Sequence, residues 1–130
     1  MEYKLTIQGP PTPYSAPRFN KFKVYDVRHK EKDDARRSIR NQYSDNIIHG
    51  SVKLKFVFYM AIPKSSSKSA KESMALGNIP HLKKPDVSNL IKFAEDILKE
   101  IVLIDDSIVT KIVASKQYSE DPRTEITITF

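Results

Sequence analysis

The chain has 130 residues, of which 39% are hydrophobic and 29% are charged, proportions that predict one globular domain spanning residues 1–130. Its 22 Lys and Arg residues exceed its 16 Asp and Glu residues, and the resulting net charge of +6 makes a polyanionic partner about as plausible as simple solvation. The absence of cysteine excludes disulfides and thiolate metal sites, and the absence of a long apolar block argues against a signal peptide or a membrane helix, so we expect a cytoplasmic protein without membrane association.

The N-terminal part is predicted to form one strand and then an irregular segment. Tyr3, Leu5 and Ile7 alternate with polar residues, as in a half-buried strand. Four prolines between Pro10 and Pro17 exclude regular structure there. The next residues mix basic and aromatic side chains: Arg18, Phe19, Lys21, Phe22, Lys23 and Tyr25. Such a mixture could contact DNA phosphates or stack on unpaired bases, but aromatic burial is strongly favourable, and we expect these rings to pack on the domain.

A helix is predicted from Asp26 to about His49, because this stretch contains neither Pro nor Gly. Its apolar residues recur every four positions and form one stripe: Ala35, Ile39, Tyr43 and Ile47. Basic residues occupy the other faces, where solvation is the usual role and phosphate contact the less favoured one. Gly50 is a suitable helix end.

The clearest strand of the chain runs from Val52 to Met60, where five apolar residues at every second position alternate with Lys53, Lys55, Val57 and Tyr59. Residues 64–84 are rich in serine and lysine, with one possible helical turn near residues 70–75. A segment of this length without regular structure favours a functional or mobile loop.

The C-terminal half is predicted to contain a helix and two strands. Apolar residues at helical spacing indicate a helix from about Val87 to Glu100. Two strands, Ser107–Tyr118 and Thr124–Phe130, are joined by a short turn, which predicts a hairpin. The element order β-α-β-α-β-β predicts an α+β fold with two main helices packed on one mixed sheet.

The residues with the clearest chemical potential lie between Lys83 and Asp106. Asp86 stands at the predicted start of the second helix, where an aspartate often caps the helix. Asp105 and Asp106 follow the helix end, where adjacent aspartates often shape a turn. If the strand after Asp106 runs back along the helix, these carboxylates could meet and hold Mg²⁺, and Lys92 could stabilise charge that develops on a phosphate.

This segment, Pro-Asp-Val-Ser-Asn-Leu-Ile-Lys followed by Ile-Asp-Asp-Ser, resembles the RusA family of Holliday junction resolvases. The usual family pattern is Lys-Pro-Asp-x-Asp-Asn-Leu-x-Lys, a helix, and Asp-Asp. The proline-rich turn, the Pro63-Lys64-Ser65 segment and the last strand region also look similar, so the resemblance covers most of the chain. It implies a Mg²⁺-dependent endonuclease, with Mn²⁺ as an alternative ion, that needs no small-molecule cofactor. It also implies a homodimer that nicks two strands of a four-way DNA junction symmetrically.

The resemblance assigns catalytic roles to particular residues of this chain. Asp86 matches the first catalytic aspartate of the motif, Asp106 matches the third, and Lys92 matches the motif lysine. Asp105 matches the acidic neighbour of the third aspartate. The implied catalytic set is therefore Asp86, Lys92, Asp105 and Asp106.

Ser88 departs from the family pattern, because it stands where the second catalytic aspartate is usual. A hydroxyl is a neutral and weaker metal ligand than a carboxylate, so the site loses one negative charge. Asp105 or Glu95 could supply the missing oxygen, Ser88 could act through a bound water, or the site could be impaired. Asp105 is the preferred replacement, since Glu95 lies nearly two helical turns beyond Ser88. Serine at this position also resembles a subgroup from phages and prophages of Gram-positive bacteria, which favours retained activity.

The sequence therefore predicts a junction-resolving endonuclease of DNA recombination and repair, in a bacterial cell and encoded by a phage or prophage. Two alternatives stay open. One is a basic junction-binding protein whose catalysis is impaired, and the other is a flap or fork nuclease with the same metal chemistry. Contacts to DNA are expected from seven residues: Arg18, Lys21, Lys64, Lys68, Lys83, Lys84 and Asn89.

Overall fold

The computed structural model describes all 130 residues and contains a four-stranded mixed sheet, a small separate hairpin and three helices. The strands of the sheet are β1 (Glu2–Gln8), β4 (Val52–Ala61), β5 (Val109–Ser119) and β6 (Arg123–Thr129), and the hairpin consists of β2 (Arg18–Phe19) and β3 (Val24–Tyr25). The helices are α1 (His29–Gln42), α2 (Lys68–Ala75) and α3 (Val87–Leu98), and a short 3₁₀ turn covers Asp106–Ile108. The predicted α+β class is confirmed. None of the helices has the length and apolar character needed to cross a membrane.

Strand β4 is the centre of the sheet, whose strand order is β1-β6-β4-β5. It pairs in parallel with β5 and antiparallel with β6. Alternate side chains of a strand point to opposite faces, so the period-2 pattern of β4 places five apolar residues on the buried face: Val52, Leu54, Phe56, Phe58 and Met60. The rings of Phe56 and Phe58 stack with their centroids 5.6 Å apart.

The predicted hairpin between the last two strands is wrong, because β4 lies between β5 and β6. The turn from Ser119 to Arg123 must therefore span two strand spacings, about 9.6 Å. Four extended residues reach about 13 Å, so the short turn can bridge that gap. Periodicity identifies the residues of a strand but not its partners, and both edges of β4 need partners for their backbone groups.

Helices α1 and α3 cover the buried face of the sheet. The buried residues of α1 are Ala35 and Ile39, and those of α3 are Leu90, Phe93, Ala94, Ile97 and Leu98. Two contacts to Asp96 join the helices, because Lys32 Nζ lies 3.2 Å from Asp96 Oδ2 and Arg36 Nη2 donates to the Asp96 carbonyl at 2.7 Å. These contacts set the position of α3 relative to α1.

The first helix is shorter than predicted, since it ends at Gln42 and Tyr43 already has extended backbone angles. Beyond that point Ile48 is buried, whereas Ile47 is only half-buried. The Ile48 N–H donates to the Val102 carbonyl at 2.8 Å, and the Ile48 carbonyl accepts a bond from the Ile104 N–H at 3.0 Å. Pairing with a distant segment thus replaces the last predicted turns of helix.

The helical turn predicted near residues 70–75 is confirmed as the two-turn helix α2, which Ser67 caps by accepting a bond from the Ala70 N–H at 3.2 Å. The two phenylalanines of the β2–β3 hairpin do not pack on the domain as predicted, because Phe19 is 78% exposed and Phe22 is 88% exposed.

We predict that Phe56→Ala lowers the free energy of unfolding by about 3–5 kcal/mol, since it removes a fully buried ring from the central strand. The matched control is Phe19→Ala, which removes an exposed ring and should change the same quantity by less than about 0.5 kcal/mol. Urea denaturation followed by circular dichroism measures both. Equal effects of the two substitutions would contradict the central position of β4.

Candidate functional site

The exposed face of α3 and its C-cap residue carry a row of four polar side chains. They recur at intervals of four, three and four residues, so Ser88, Lys92 and Glu95 share one face of the helix, and Lys99 follows them as the C-cap residue. The opposite face is the apolar one that packs on the sheet. The same pattern that buries α3 therefore presents alternating hydroxyl, ammonium and carboxylate groups to solvent.

The C-terminal part of this row borders a surface cleft of about 260 Å³. Seven residues line it: Tyr14, Lys32, Lys92, Glu95, Asp96, Lys99 and Asp106. Burial, and after it the negative charge of Asp106, raise the pKa of Glu95 above its ordinary value. The cleft thus holds three carboxylates, of which Asp96 is paired with Lys32. Glu95 and Asp106 carry no such ion pair, and lysines lie around them.

Asp106 faces this cleft, whereas its neighbour Asp105 makes structural contacts. Asp105 accepts a hydrogen bond from the Ser107 N–H at 3.3 Å and lies 3.3 Å from Lys99 Nζ. Hydrogen bonding by Ser107, and then the contact with Lys99, lower the pKa of Asp105 to about 2. Asp105 does not line the cleft, but Glu95 does. The geometry therefore favours Glu95 over Asp105 as the second carboxylate beside Asp106.

Asp86 occupies the N-cap position of α3, but its side chain makes no cap hydrogen bond. Its carboxylate is exposed and therefore available to another partner. Glu95 lies nine positions after Asp86, a rise of about 14 Å along the helix. Since Mg²⁺ binds its oxygen ligands at about 2.1 Å, these two carboxylates cannot hold the same ion.

The predicted site residues therefore lie in two separate places. Lys92 and Asp106 meet in the cleft, whereas Asp86 and Ser88 stand near the N-terminal end of α3, outside the residues that line it. No group of three acidic or histidine side chains is placed to hold a metal ion. Mg²⁺ is nevertheless often bound by only one or two carboxylates together with waters and substrate phosphates, so the oxygens of Glu95 and Asp106 suit it.

Contacts from two other segments position the start of α3. Lys116 Nζ donates to the carbonyls of Lys83 at 2.7 Å and Pro85 at 2.9 Å, which ties the segment before the helix to β5. The Tyr14 N–H donates to the Asn89 carbonyl at 2.9 Å. These bonds hold the motif segment and the proline-rich segment on the same part of the surface.

Sequence reasoning missed the contribution of Tyr14 to the cleft. Its ring centroid lies 5.8 Å from Lys92 Nζ, within the range of a cation–π contact. An aromatic residue within a proline-rich segment was the only available signal, and it does not reveal which helix the segment crosses. Lys32 and Lys99 were missed for the same reason, since helix lysines are usually only solvated.

The seven expected DNA contacts lie at the protein surface. The six basic residues among them are exposed and belong to no ion pair: Arg18, Lys21, Lys64, Lys68, Lys83 and Lys84. Asn89 is half-buried, and its backbone carbonyl accepts the bond from Tyr14. The six cations are therefore free to meet an external anion.

Comparisons with known proteins identify one family model and one relative. A family model described as "Endodeoxyribonuclease RusA" matches residues 8–129. A protein of Bacillus subtilis (strain 168), described as "Uncharacterized protein YqaN", is 32% identical over 136 aligned residues. That alignment covers 96% of this chain and 94% of the relative, so the similarity includes the motif segment and the strands around it.

We expect Ser107→Ala to raise the pKa of Asp105 from about 2 toward its ordinary value, because it removes the hydrogen bond from the Ser107 side chain, the largest cause of the low pKa, while the bond from the backbone N–H remains. A carboxyl whose folded pKa is depressed adds stability above its unfolded pKa, and that stability is lost as the pH falls toward the folded value. In the Ser107→Ala variant the stability contributed by Asp105 should therefore be lost at a higher pH. Carboxyl-carbon NMR titration measures the pKa, and an unchanged value would contradict the contact. Ser65→Ala, at an exposed serine outside this contact, is the control.

Proposed function

The chain belongs to the RusA family of endodeoxyribonucleases, and on that premise we propose that it resolves four-way DNA junctions by paired, symmetric nicks. The observation that carries this proposal is the cleft in which the motif residues Lys92 and Asp106 meet Glu95. A basic protein usually meets polyanions, and this cleft combines metal-binding oxygens with lysines that suit a phosphate.

In the proposed site Glu95 and Asp106 hold Mg²⁺, or Mn²⁺ in its place. When bound, such an ion neutralises charge on the scissile phosphate and lowers the pKa of an attacking water. Lys92 forms no ion pair with a carboxylate, so its ammonium is free to bond a phosphate oxygen as negative charge develops there. Tyr14 limits where that ammonium can move, because its ring lies beside it.

Asp86 and Asp105 have separate roles in this proposal. Asp86 matches the first motif aspartate, and its carboxylate is not used for helix capping. We therefore propose that Asp86 takes part only when DNA is bound, at the N-terminal end of α3 before Lys92. Asp105 assists indirectly, because its contact with Lys99 holds that lysine at the cleft.

The exposed basic residues of the 64–84 segment and of the hairpin would bind phosphates without reading base sequence. Lys64 precedes α2, Lys68 begins it, and Lys83 and Lys84 lead into the motif. Binding through such contacts weakens steeply as the salt concentration rises.

Symmetric cutting requires two cleavage sites related by a two-fold axis, and we therefore propose a homodimer. Light scattering coupled to size-exclusion chromatography measures the mass of the free protein and of its complex with a junction. If the free protein and the complex each contain a single copy of the chain, the proposed paired nicking is contradicted.

We expect the protein to nick a synthetic four-way junction in the presence of Mg²⁺ and not in its absence. Asp106→Asn or Glu95→Gln should lower the cleavage rate at least about 100-fold, in line with the loss of a group that holds the ion. Lys92→Ala should lower it about 100- to 1000-fold, as for loss of one transition-state donor. Glu120→Gln, in the exposed turn before β6, is the control and should retain the wild-type rate.

Gel mobility-shift assays with the same junctions separate cleavage from binding. Wild-type protein that binds junctions but never nicks them would favour a DNA-binding protein without catalysis. Cleavage of flaps or forks but not of four-way junctions would change the proposed substrate and leave the metal chemistry intact.

Ser88→Asp distinguishes the two ends of α3 as the position of the ion. If Glu95 and Asp106 hold the ion, a new carboxylate at position 88 should change the Mg²⁺ concentration for half-maximal cleavage by less than about threefold, since ligand charge tunes affinity only at the ion. If Ser88→Asp lowers the Mg²⁺ concentration for half-maximal cleavage strongly, and Glu95→Gln keeps its full metal affinity, the ion is bound by Asp86 and position 88 instead.

A further inference from the structure

The hairpin formed by β2 and β3 exposes apolar side chains that have no partner in the chain. Phe22 at its turn is 88% exposed, Phe19 is 78% exposed and Val24 is 57% exposed. Phenylalanine is normally among the most buried residue types, and adjacent exposed apolar side chains commonly mark an interaction surface. The hairpin is therefore a candidate contact surface for another molecule.

A defined backbone presents these rings. Arg18 pairs with Tyr25 and Phe19 pairs with Val24. The Asn20 side-chain oxygen accepts bonds from the Phe22 N–H at 2.9 Å and the Lys23 N–H at 2.8 Å, and the Asn20 N–H donates to the Lys23 carbonyl at 2.9 Å. Because the turn is closed by three bonds, it keeps Phe22 at the tip.

The positive charge of the hairpin indicates which class of molecule it binds. Residues 18–25 include three basic residues and no acidic one, and none of the three belongs to an ion pair. Lys21 Nζ lies 5.9 Å from the centroid of the Phe22 ring. A second copy of this hairpin would bring like charges together, whereas a nucleic acid offers phosphates for the cations and base faces for the rings.

The base of the hairpin is anchored at the rim of the candidate cleavage cleft. Asp26, directly after β3, lies 2.6 Å from Lys32 Nζ, and Lys32 in turn pairs with Asp96. Both Lys32 and Asp96 line the cleft. On the other side Arg28 Nε donates to Ser15 Oγ at 3.2 Å. A nucleic acid held by the hairpin would therefore extend directly from the cleft.

We propose that the β2–β3 hairpin binds unpaired bases at the branch point of DNA, with Phe22 and Phe19 stacked on the bases. Arg18, Lys21 and Lys23 contact the flanking phosphates. Stacking on aromatic rings does not depend on base identity, so the hairpin recognises an open base face and not a sequence. An intact duplex covers its base faces by stacking, and the rings therefore contribute to binding only where bases are unpaired. Branched DNA as the substrate rests on the proposed function, but the role of the hairpin does not require cleavage.

The test compares binding of branched and duplex DNA without a divalent ion, so that the result is independent of cleavage. Fluorescence anisotropy gives the affinity for a four-way junction and for a linear duplex of equal length, and 2-aminopurine at the branch point reports stacking. The double variant F19A/F22A should bind the junction about 10- to 100-fold more weakly, in line with loss of base stacking. Its duplex affinity should stay within about twofold, because only phosphate contacts act there.

Two comparison variants separate stacking from charge. F22W should retain junction affinity and the 2-aminopurine change, since tryptophan offers a larger stacking face. K21A/K23A should weaken junction and duplex binding alike and reduce the salt dependence of both.

Equal loss of duplex and junction affinity in F19A/F22A, or no loss of either, would overturn the proposal. A changed molecular mass of that variant would overturn it as well, because it would identify the hairpin as a contact between copies. Should F19A/F22A bind normally while the wild type still nicks junctions, the hairpin inference fails and the proposed function stands.

Discussion

The apolar row on β4, with Phe56 and Phe58 near its centre, must be covered on one face and paired along both edges. Helices α1 and α3 provide the cover, and β5 and β6 provide the pairing. Because β5 runs parallel to β4, the chain must return from the end of α3 to the start of β4 before β5 begins. That return carries Asp106 past the exposed face of α3. The position of the candidate site thus follows from how the core is closed.

The charged side chains of the cleft are arranged as in a binding site, because several of them are not paired with one another. The partial burial of Glu95, and after it the negative charge of Asp106, raise the pKa of Glu95. Lys92 stands near them without an ion pair, beside the Tyr14 ring. In contrast, Asp105 is satisfied by its own turn. Two neighbouring aspartates therefore differ in availability because only one of them completes the local backbone structure, and a cation entering the cleft would relieve the repulsion between the carboxylates.

Local patterns predicted the elements well and their partners poorly. Strict alternation identified β4, and helical spacing identified α3, since both patterns reflect burial on one face. The same reasoning extended α1 beyond Gln42, because it could not detect the pairing of Ile48 with the segment after α3. It also predicted packed aromatics in the β2–β3 hairpin, where Asn20 instead closes a turn that holds Phe22 away from the core.

By itself, the sequence determined the family and the α+β class, because motif spacing and periodicity are properties of the chain alone. It also predicted Lys92 and Asp106 as residues of the candidate site. Only the tertiary structure decided that Glu95 joins Asp106 while Asp86 stands a helix length away, and that Asp105 completes a turn. The physical reason is that one α-helix separates residues along its axis by a fixed rise, whereas residues from different elements meet only through packing of the core.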